Sequence, residues 1–485
     1  MNYLDLTIKE IHEALVNKQV TPLELVNEAL KRAKEDKCNA FEYIMEKEAL
    51  SLAKTLTEPE KDNLLWGIPF AIKDNISTKG VPTCASSDIL KGYVPIYNAT
   101  IIEKLLKKKA IPFAKVTLDE LAMGGTGATG HLGKTTNPYD VSHERMVGGS
   151  SCGSAAVVSS AIVPFALGSD TGDSIRKPAS YAGLVGFKPT WGRISRYGLF
   201  PFTPSLDSLG FFTRSVYDSA LILNIVAGYD KNDFTSSREK VDDYTSDLNK
   251  PIKGIKIAVI KEILESVSDP YIQKKFQETL KIYEELGAKI NYVSVNHHLL
   301  KTLFPTYYII SCAEATSNNA NLDGVKFGLN LEGNTFNDSL IKTRSEGFSE
   351  RIKRRFVIGS YSLMAENQNE LYLRATKNRH KIVDEINKVL KDNDVIFLPA
   401  SPSVAPKFDN KIDQLEDEYL IADNYMVIAN FAGLPSITIP TGFVNDLPFG
   451  FNLTASAFAE KKLFNIAKAL EDKLGYYNLS ARTKK

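Results

Sequence analysis

At 485 residues, the chain has room for about three domains of roughly 150 residues or for one large enzyme domain with insertions, and a small disulfide-stapled scaffold is excluded. Its 59 lysines and arginines against 58 acidic residues leave a net charge of +1, so no global positive field marks it as a nucleic-acid or anionic-membrane binder, and any RNA contact has to be local or made by a partner. Hydrophobic residues at 43% and charged residues at 24% exclude wholesale disorder.

The N-terminus MNYLDLTIKEIHEAL carries acidic residues where a signal peptide would be basic and then apolar. Cys38, Cys84, Cys152 and Cys312 lie far apart with no CxxC pairing. Both features point to a reduced, cytoplasmic setting. Thr7 with Glu10, and Thr21 with Pro22 and Glu24, each place a hydroxyl three residues before a glutamate, so two amphipathic helices are predicted to open the chain as a helical lead-in over residues 1–60. Short apolar runs then alternate with helical patterns: IPFAI at 68–72, IPFAKV at 111–116, VPFALG at 163–168, LVGF at 184–187 and IKIAVI at 255–260. That alternation predicts an α/β sandwich around a largely buried sheet. The longest nearly apolar run, 155–167, is interrupted by Ser159, Ser160 and Pro164 and falls short of the roughly 20 residues a bilayer span needs, so no membrane association is expected. The polar stretch 230–250 reads as a surface loop and the best candidate boundary. Residues 297–391 read mostly helical, after which VIFLPAS, SITIPTG and FGFNLTAS return to strand character. One sheet completed by the C-terminal part, with a helical insertion, is therefore expected.

Chemistry concentrates between Val147 and Gly198, where VGGSSCGSAAVV, ALGSDTGDSIRKPAS and GLVGFKPTWGRISRYG are dominated by small residues. Such density lets backbone approach a ligand, and the alanine-rich run can begin a helix with free N–H groups; a tight structural turn against the sheet fits equally well. ATGHLGKT at 128–135 ends as a phosphate-binding loop does. The preceding LDELAMGG is acidic and helical in pattern rather than a buried strand, which favours a plain glycine-rich loop. Of the six histidines, His12, His131, His143, His297, His298 and His380, none sits in text that specifies a serine-histidine-aspartate triad. Lys73, at the end of the apolar GIPFAIKDN run, is an alternative base, since a desolvated lysine loses pKa toward neutrality; a snorkelling lysine, or one salt-bridged to Asp74, is the competing reading. No metal-ligand set is legible.

Three separated blocks carry a family resemblance: GIPFAIKDN at 67–75, GGSSCGSA at 148–155, and GSDTGDSIRKPAS at 168–180 with its continuation to Gly210. With the two serines 24 positions apart, the chain closely resembles the amidase signature family. The resemblance implies an α/β amidase signature fold in a single large domain over 1–485. A large central mixed sheet sandwiched by helices is expected, with a signature core at 61–230, sheet completion over 251–485 and the helical insertion at about 297–391. It implies a Ser-cisSer-Lys triad of Ser174 as nucleophile, Ser150 as bridging serine and Lys73 as base, and an oxyanion hole from the backbone N–H groups of Thr171, Gly172 and Asp173. The family usually reads TGGSIRQP and GGSSGGS where this chain has TGDSIRKP and GGSSCGS. A carboxylate at Asp173 opposes a developing oxyanion, where one lost donor costs about 100- to 1000-fold in rate, unless it turns away to pair with Arg176 or Lys177. Cys152, at a family glycine position with no base specified for it, reads as a small buried residue.

Later segments, including PTYYIISCAEATSNNANLDGVKFG, ERIKRRFVIGSYSL and IANFAGLPSITIPTG, resemble the A subunits of aspartyl/glutamyl-tRNA amidotransferases more than free-standing amidases. That resemblance implies a glutaminase subunit that passes ammonia to a B subunit, which uses ATP and Mg2+ on mischarged Glu-tRNA(Gln) or Asp-tRNA(Asn), with a small C subunit completing a heterotrimer; no cofactor belongs to this chain itself. A glutamine pocket needs a guanidinium and a carboxylate for the amino-acid head. The family pattern puts these on Arg355, with Arg354 as the competing register, and on Asp423, together with Tyr307. A stand-alone amidase of small carboxamides and a catalytically weakened scaffold are the alternative functions.

Overall fold

The computed structural model describes residues 2–267, 269–408 and 425–483. Both N-terminal capping boxes form: Thr7 opens the helix Ile8–Val16 and Thr21 opens Pro22–Lys34, each hydroxyl accepting from the glutamate N–H three residues on while that glutamate accepts from the cap. Arg32, buried at the end of the second helix, pairs with Asp5 and Glu28 and donates to the Ala161 carbonyl at 2.7 Å. This clamps the lead-in to the body.

The strands are β1 (Phe41–Ile44), β2 (Pro69–Lys73), β3 (Ile111–Val116), β4 (Phe165–Asp170), β5 (Val185–Lys188), β6 (Ser208–Thr213), β7 (Lys256–Ile260), β8 (Lys289–Val293), β9 (Val395–Pro399), β10 (Ser436–Val444) and β11 (Leu447–Ala455). Among the described residues they form one 11-stranded mixed sheet in the order β1-β3-β2-β4-β6-β5-β10-β11-β9-β7-β8. The predicted mixed α/β architecture is thus present, and the polar stretch after residue 230 is a loop that does not interrupt the sheet. Helices cover both faces, as the strand alternation requires: Ile257, Val259, Val395 and Phe397 enter one hydrophobic core, while Ala258, Ile260, Ile396 and Leu398 enter the other. The segment between β8 and β9 is helical, with long helices at Leu303–Asn318, Glu350–Leu363 and Tyr372–Asp392. Among the described residues, no helix is long and apolar enough to cross a membrane.

Two strand relations set the location of the chemistry. β2 lies between β3 and β4 and is parallel to both, with Ile72 opposite Leu167, so Lys73, Val116 and Asp170 all end at the same edge of the sheet. The carboxyl ends of parallel strands are where open α/β sheets place their ligand crevices. One predicted helix is absent: LDELAMGG forms only the turn Glu120–Ala122, with Leu121 and Ala122 at φ 51° and 64°. Asp119 explains the difference, since its carboxylate accepts from the backbone N–H groups of Thr126, Gly127 and Thr129 and from the Thr129 hydroxyl, which folds the chain back on itself instead of winding it.

Candidate active site

Lys73 is fully buried at the end of β2. Its Nζ lies 2.8 Å from Ser150 Oγ, 2.9 Å from Ser151 Oγ, 2.9 Å from Ser169 Oγ and 3.3 Å from the Ser169 carbonyl. Burial pushes this amine down to about 7, against the opposing pull of the nearby Asp119, Asp170 and Asp207. A neutral amine has two N–H donors and one lone pair. Ser151 gives its own proton to the Ser169 carbonyl at 3.1 Å, which leaves Ser150 and Ser169 as the hydroxyls able to give a proton to that lone pair. Asn75 donates to Ser169 Oγ at 3.0 Å and fixes it from behind. The lysine is therefore neither snorkelling nor bridged to Asp74, which pairs instead with the buried Lys115 at 2.9 Å.

The serine-rich turn is braced by the Asp119 loop. Asp119 N–H donates to the Ser150 carbonyl and Gly149 N–H to the Gly125 carbonyl, and the Gly149–Ser150 peptide is cis. A Cβ on Gly149 would sit 1.9 Å from Asp119 Oδ2 and 2.9 Å from the Gly127 nitrogen, so only glycine fits there. The helix Cys152–Ser159 follows at once, as the alanine-rich run predicts. Ser174 begins the next wall: Ser151 N–H donates to its carbonyl at 3.2 Å, and its side chain is buried in the same crevice. Cys152 is also buried, and burial pushes its thiol up to about 12, so it stays protonated and inert.

Residues 170–177 are fixed by one cation. Arg176 donates Nε and Nη2 to the two oxygens of Asp170, Nη2 also to the Gly172 carbonyl at 2.8 Å and to Asn430 Oδ1 at 2.6 Å, and Nη1 to the Met426 carbonyl. Burial opposes the Asp170 charge, but Arg176, Lys188 and Asn430 outweigh it and hold that carboxyl at about 2. With Arg176 so engaged, Asp173 pairs with Lys177 at 2.8 Å, both side chains almost fully buried. Burial works against the Lys177 charge, yet the Asp173 carboxylate overcomes it and raises that ammonium. Thr171 is anchored by its hydroxyl to Asp207 at 2.6 Å. Among the described residues, neither the Thr171 nor the Gly172 N–H finds an acceptor, so both donors are available to a ligand.

Tyr307 packs against this loop, with its ring 3.3 Å from where a Gly172 Cβ would stand; burial pushes its hydroxyl pKa well up, with the Arg355 charge opposing. Arg355 is buried with its guanidinium 5.0 Å over the Tyr308 ring and 5.8 Å over Phe202, whereas Arg354 is exposed. The structure thus brings Arg355 to the site region and leaves Arg354 on the outer face of its helix. Asp423 lies outside the described residues. Sequence reasoning assigns no role to Ser169, Asn75, Asp119 or Asn430, all of which hold the site; the one available signal is that Asn75 and Ser169 stand just past the ends of two predicted strands. The GKT segment is a loop with neither a strand before it nor a helix after it, so it is no phosphate-binding loop.

A large mixed sheet carrying a buried lysine, a run of serine hydroxyls and a turn of available N–H groups at its parallel edge defines a class of hydrolases acting on acyl compounds. The Amidase family profile matches residues 24–464, and this chain belongs to that family. It is 41% identical over 476 residues to the A subunit of the glutamyl-tRNA(Gln) amidotransferase of Pediococcus pentosaceus, covering 97% of each chain, and 41% identical over 485 residues to the same subunit of Fusobacterium nucleatum, covering 99% of this chain and 98% of that one. The crystal structure of the glutamyl-tRNA(Gln) amidotransferase A subunit from Thermotoga maritima superposes with a TM-score of 0.81 at 38% identity, covering 97% of this chain and 95% of that one.

Two single variants and one double variant probe the geometry. Gly149→Ala forces the Asp119 carboxylate away from three backbone donors and is expected to cut amidase turnover about 100-fold, the scale of an ångström-level misplacement, with circular dichroism showing the fold retained. Lys177→Gln takes the paired cation away from the buried Asp173 carboxylate, so it should lower unfolding free energy by about 3 kcal/mol and depress turnover. The double variant Asp173→Gly/Lys177→Gln, which writes the family's usual text, should recover both in urea titrations and rate assays; additive losses would show that the two residues are not coupled.

Proposed function

We propose that this chain is the glutaminase subunit of a glutamyl-tRNA(Gln)/aspartyl-tRNA(Asn) amidotransferase. The observation that carries this reading is that its likeness to the amidotransferase A subunits extends over nearly the whole length rather than stopping at the signature blocks. The site supplies matching chemistry. Ser174 Oγ attacks the side-chain carboxamide carbon of glutamine while its proton passes to Ser150, and the Ser150 proton passes to the neutral Lys73 amine. The backbone N–H groups of Thr171, Gly172 and Asp173 receive the oxyanion. Collapse breaks the C–N bond, the relay runs backward to protonate the departing nitrogen, and ammonia leaves. Water then cleaves the γ-glutamyl ester at Ser174, giving glutamate and the free serine. Arg355 and Asp423 take the α-carboxylate and α-ammonium of glutamine, and Tyr307 serves as a further substrate contact. In this reading the B subunit uses ATP and Mg2+ and holds the mischarged tRNA, a C subunit completes a cytoplasmic heterotrimer, and the chain's near-neutral charge suits a subunit that feeds ammonia to a tRNA it does not grip.

The test is ammonia release from glutamine by this chain, with and without B and C subunits and mischarged tRNA. Release should be weak alone, stimulated by the partners, and lost by more than about a thousandfold in Ser174→Ala. Activity unchanged in that variant would remove Ser174 from its role. Strong partner-independent hydrolysis of simple amides would favour a stand-alone amidase, and assembly without ammonia release a weakened scaffold.

The depressed Lys73 amine also sets a pH profile. Burial holds it at about 7, only the neutral form accepts a proton, and so kcat/KM should be full above that pH and fall about tenfold per unit below it. A profile flat across neutrality would argue against Lys73 as the base.

A further inference from the structure

Away from the serine turn, three residues distant in sequence converge on one point. Glu42 lies on the edge strand β1, Cys84 follows the Asp74 turn, and His131 sits beyond the Asp119 loop. Cys84 Sγ is 3.6 Å from Glu42 Oε2 and 3.7 Å from His131 Nε2, and those two atoms are 3.0 Å apart. A tetrahedral zinc ion with bonds of about 2.3 Å to sulfur and about 2.0 Å to nitrogen and oxygen requires donor separations of roughly 3.3 to 3.6 Å. The observed triangle is within a few tenths of an ångström of that requirement before any ion is placed in it.

The outward-facing atoms of the same residues are already held. His131 Nδ1 lies 2.9 Å from Asp88 Oδ1, the carboxylate-histidine arrangement that turns Nε2 toward a metal and raises its basicity. Ser86 donates to Glu42 Oε1 at 2.5 Å, which leaves Oε2 facing the centre. Cys84 is positioned by its own N–H on Asp74 Oδ2 at 2.7 Å. The Cys84 thiol also donates to that oxygen at 3.2 Å, a proton it releases to solvent on binding a metal as the thiolate, while the Ala85 N–H and Lys115 keep the carboxylate engaged. The ion pair between His131 and Glu42 accounts for one side of the triangle, and the thiol's contacts with Asp74 and Glu42 hold the sulfur within reach of both other donors.

We propose that Glu42, Cys84 and His131 form a site for a divalent cation of the zinc class, with water in the fourth position. Thiolate with imidazole selects zinc or its neighbours over magnesium or calcium. The His131 side chain is 20% exposed, which gives the ion a route in. The site would tie the sheet edge at β1 to the two loops that follow Asp74 and Asp119, the loops that brace Lys73 and Ser150.

The test uses the full chain, purified and dialysed against zinc-free buffer. Titration with zinc, read by elemental analysis, should give one equivalent per chain, and cobalt in its place should give the near-ultraviolet sulfur-to-metal charge-transfer band. Cys84→Ser and His131→Gln should abolish the equivalent and the band, Asp88→Asn should weaken zinc about 10- to 100-fold, and Cys38→Ser, at a buried cysteine that is not part of the cluster, should change neither. Zinc should raise the thermal midpoint of the parent and not that of Cys84→Ser, whose folding is checked by circular dichroism. Absence of stoichiometric zinc in the parent, a cobalt complex without the sulfur band, or equal zinc affinity in Cys84→Ser would each overturn the proposal. Failure of Cys84→Ser to fold leaves the decision to the parent stoichiometry and cobalt spectrum.

Discussion

The constraint on which this structure turns is an amine buried where a charge is expensive. A lysine ammonium withdrawn from water costs several kcal/mol unless it is paired or loses its proton, and Lys73 has hydroxyls and one carbonyl around it rather than a carboxylate. The serines are thus an environment in which the amine loses its proton at about 7, within the physiological range, instead of staying an ammonium. Parallel pairing of β2 with β4 creates this arrangement, because it delivers Lys73 and Ser169 to the same edge, and the Ser150 turn closes over them.

That amine stays near neutrality only if the surrounding carboxylates are engaged elsewhere. Asp119, Asp170 and Asp207 each favour the ammonium, and each is committed to another partner. Asp119 holds the turn 126–129, Asp170 binds Arg176, and Asp207 takes the Thr171 hydroxyl and two backbone N–H groups. Asp74, the neighbour in sequence, pairs with Lys115 on the adjacent strand β3. The acidic residues therefore shape the backbone of the site while burial decides the protonation of its lysine.

Much of this is legible in the sequence, for physical reasons that differ by element. The buried strands β2, β3, β4, β9, β10 and β11 announce themselves as apolar runs, and the two capping boxes carry their own start signals. The edge strands β1 and β8 escape such a reading, because half-exposed residues such as those of KINYV give no continuous apolar run. LDELAMGG misleads because its spacing suits a helix, while the decisive interaction, Asp119 with backbone seven to ten residues on, leaves no periodic trace. Lys73, Ser150 and Ser174 stand out through the signature blocks; Asn430 and Glu42 reach their partners across hundreds or tens of residues, with no local text to mark them.

The substitution at Asp173 shows how such long-range constraints reshape a local rule. A carboxylate next to a nucleophilic serine looks hostile to an oxyanion, and Arg176 looks like its natural partner. Arg176 is not available, since its donors already tie Asp170, Gly172, Met426 and Asn430 together. The charge is met instead by Lys177, one helical turn on, where the family's usual text has a neutral glutamine. The two departures from that text are therefore one change: either charge introduced without the other would sit buried beside no opposite partner from this pair, and together they neutralise each other without disturbing the backbone that Arg176 holds.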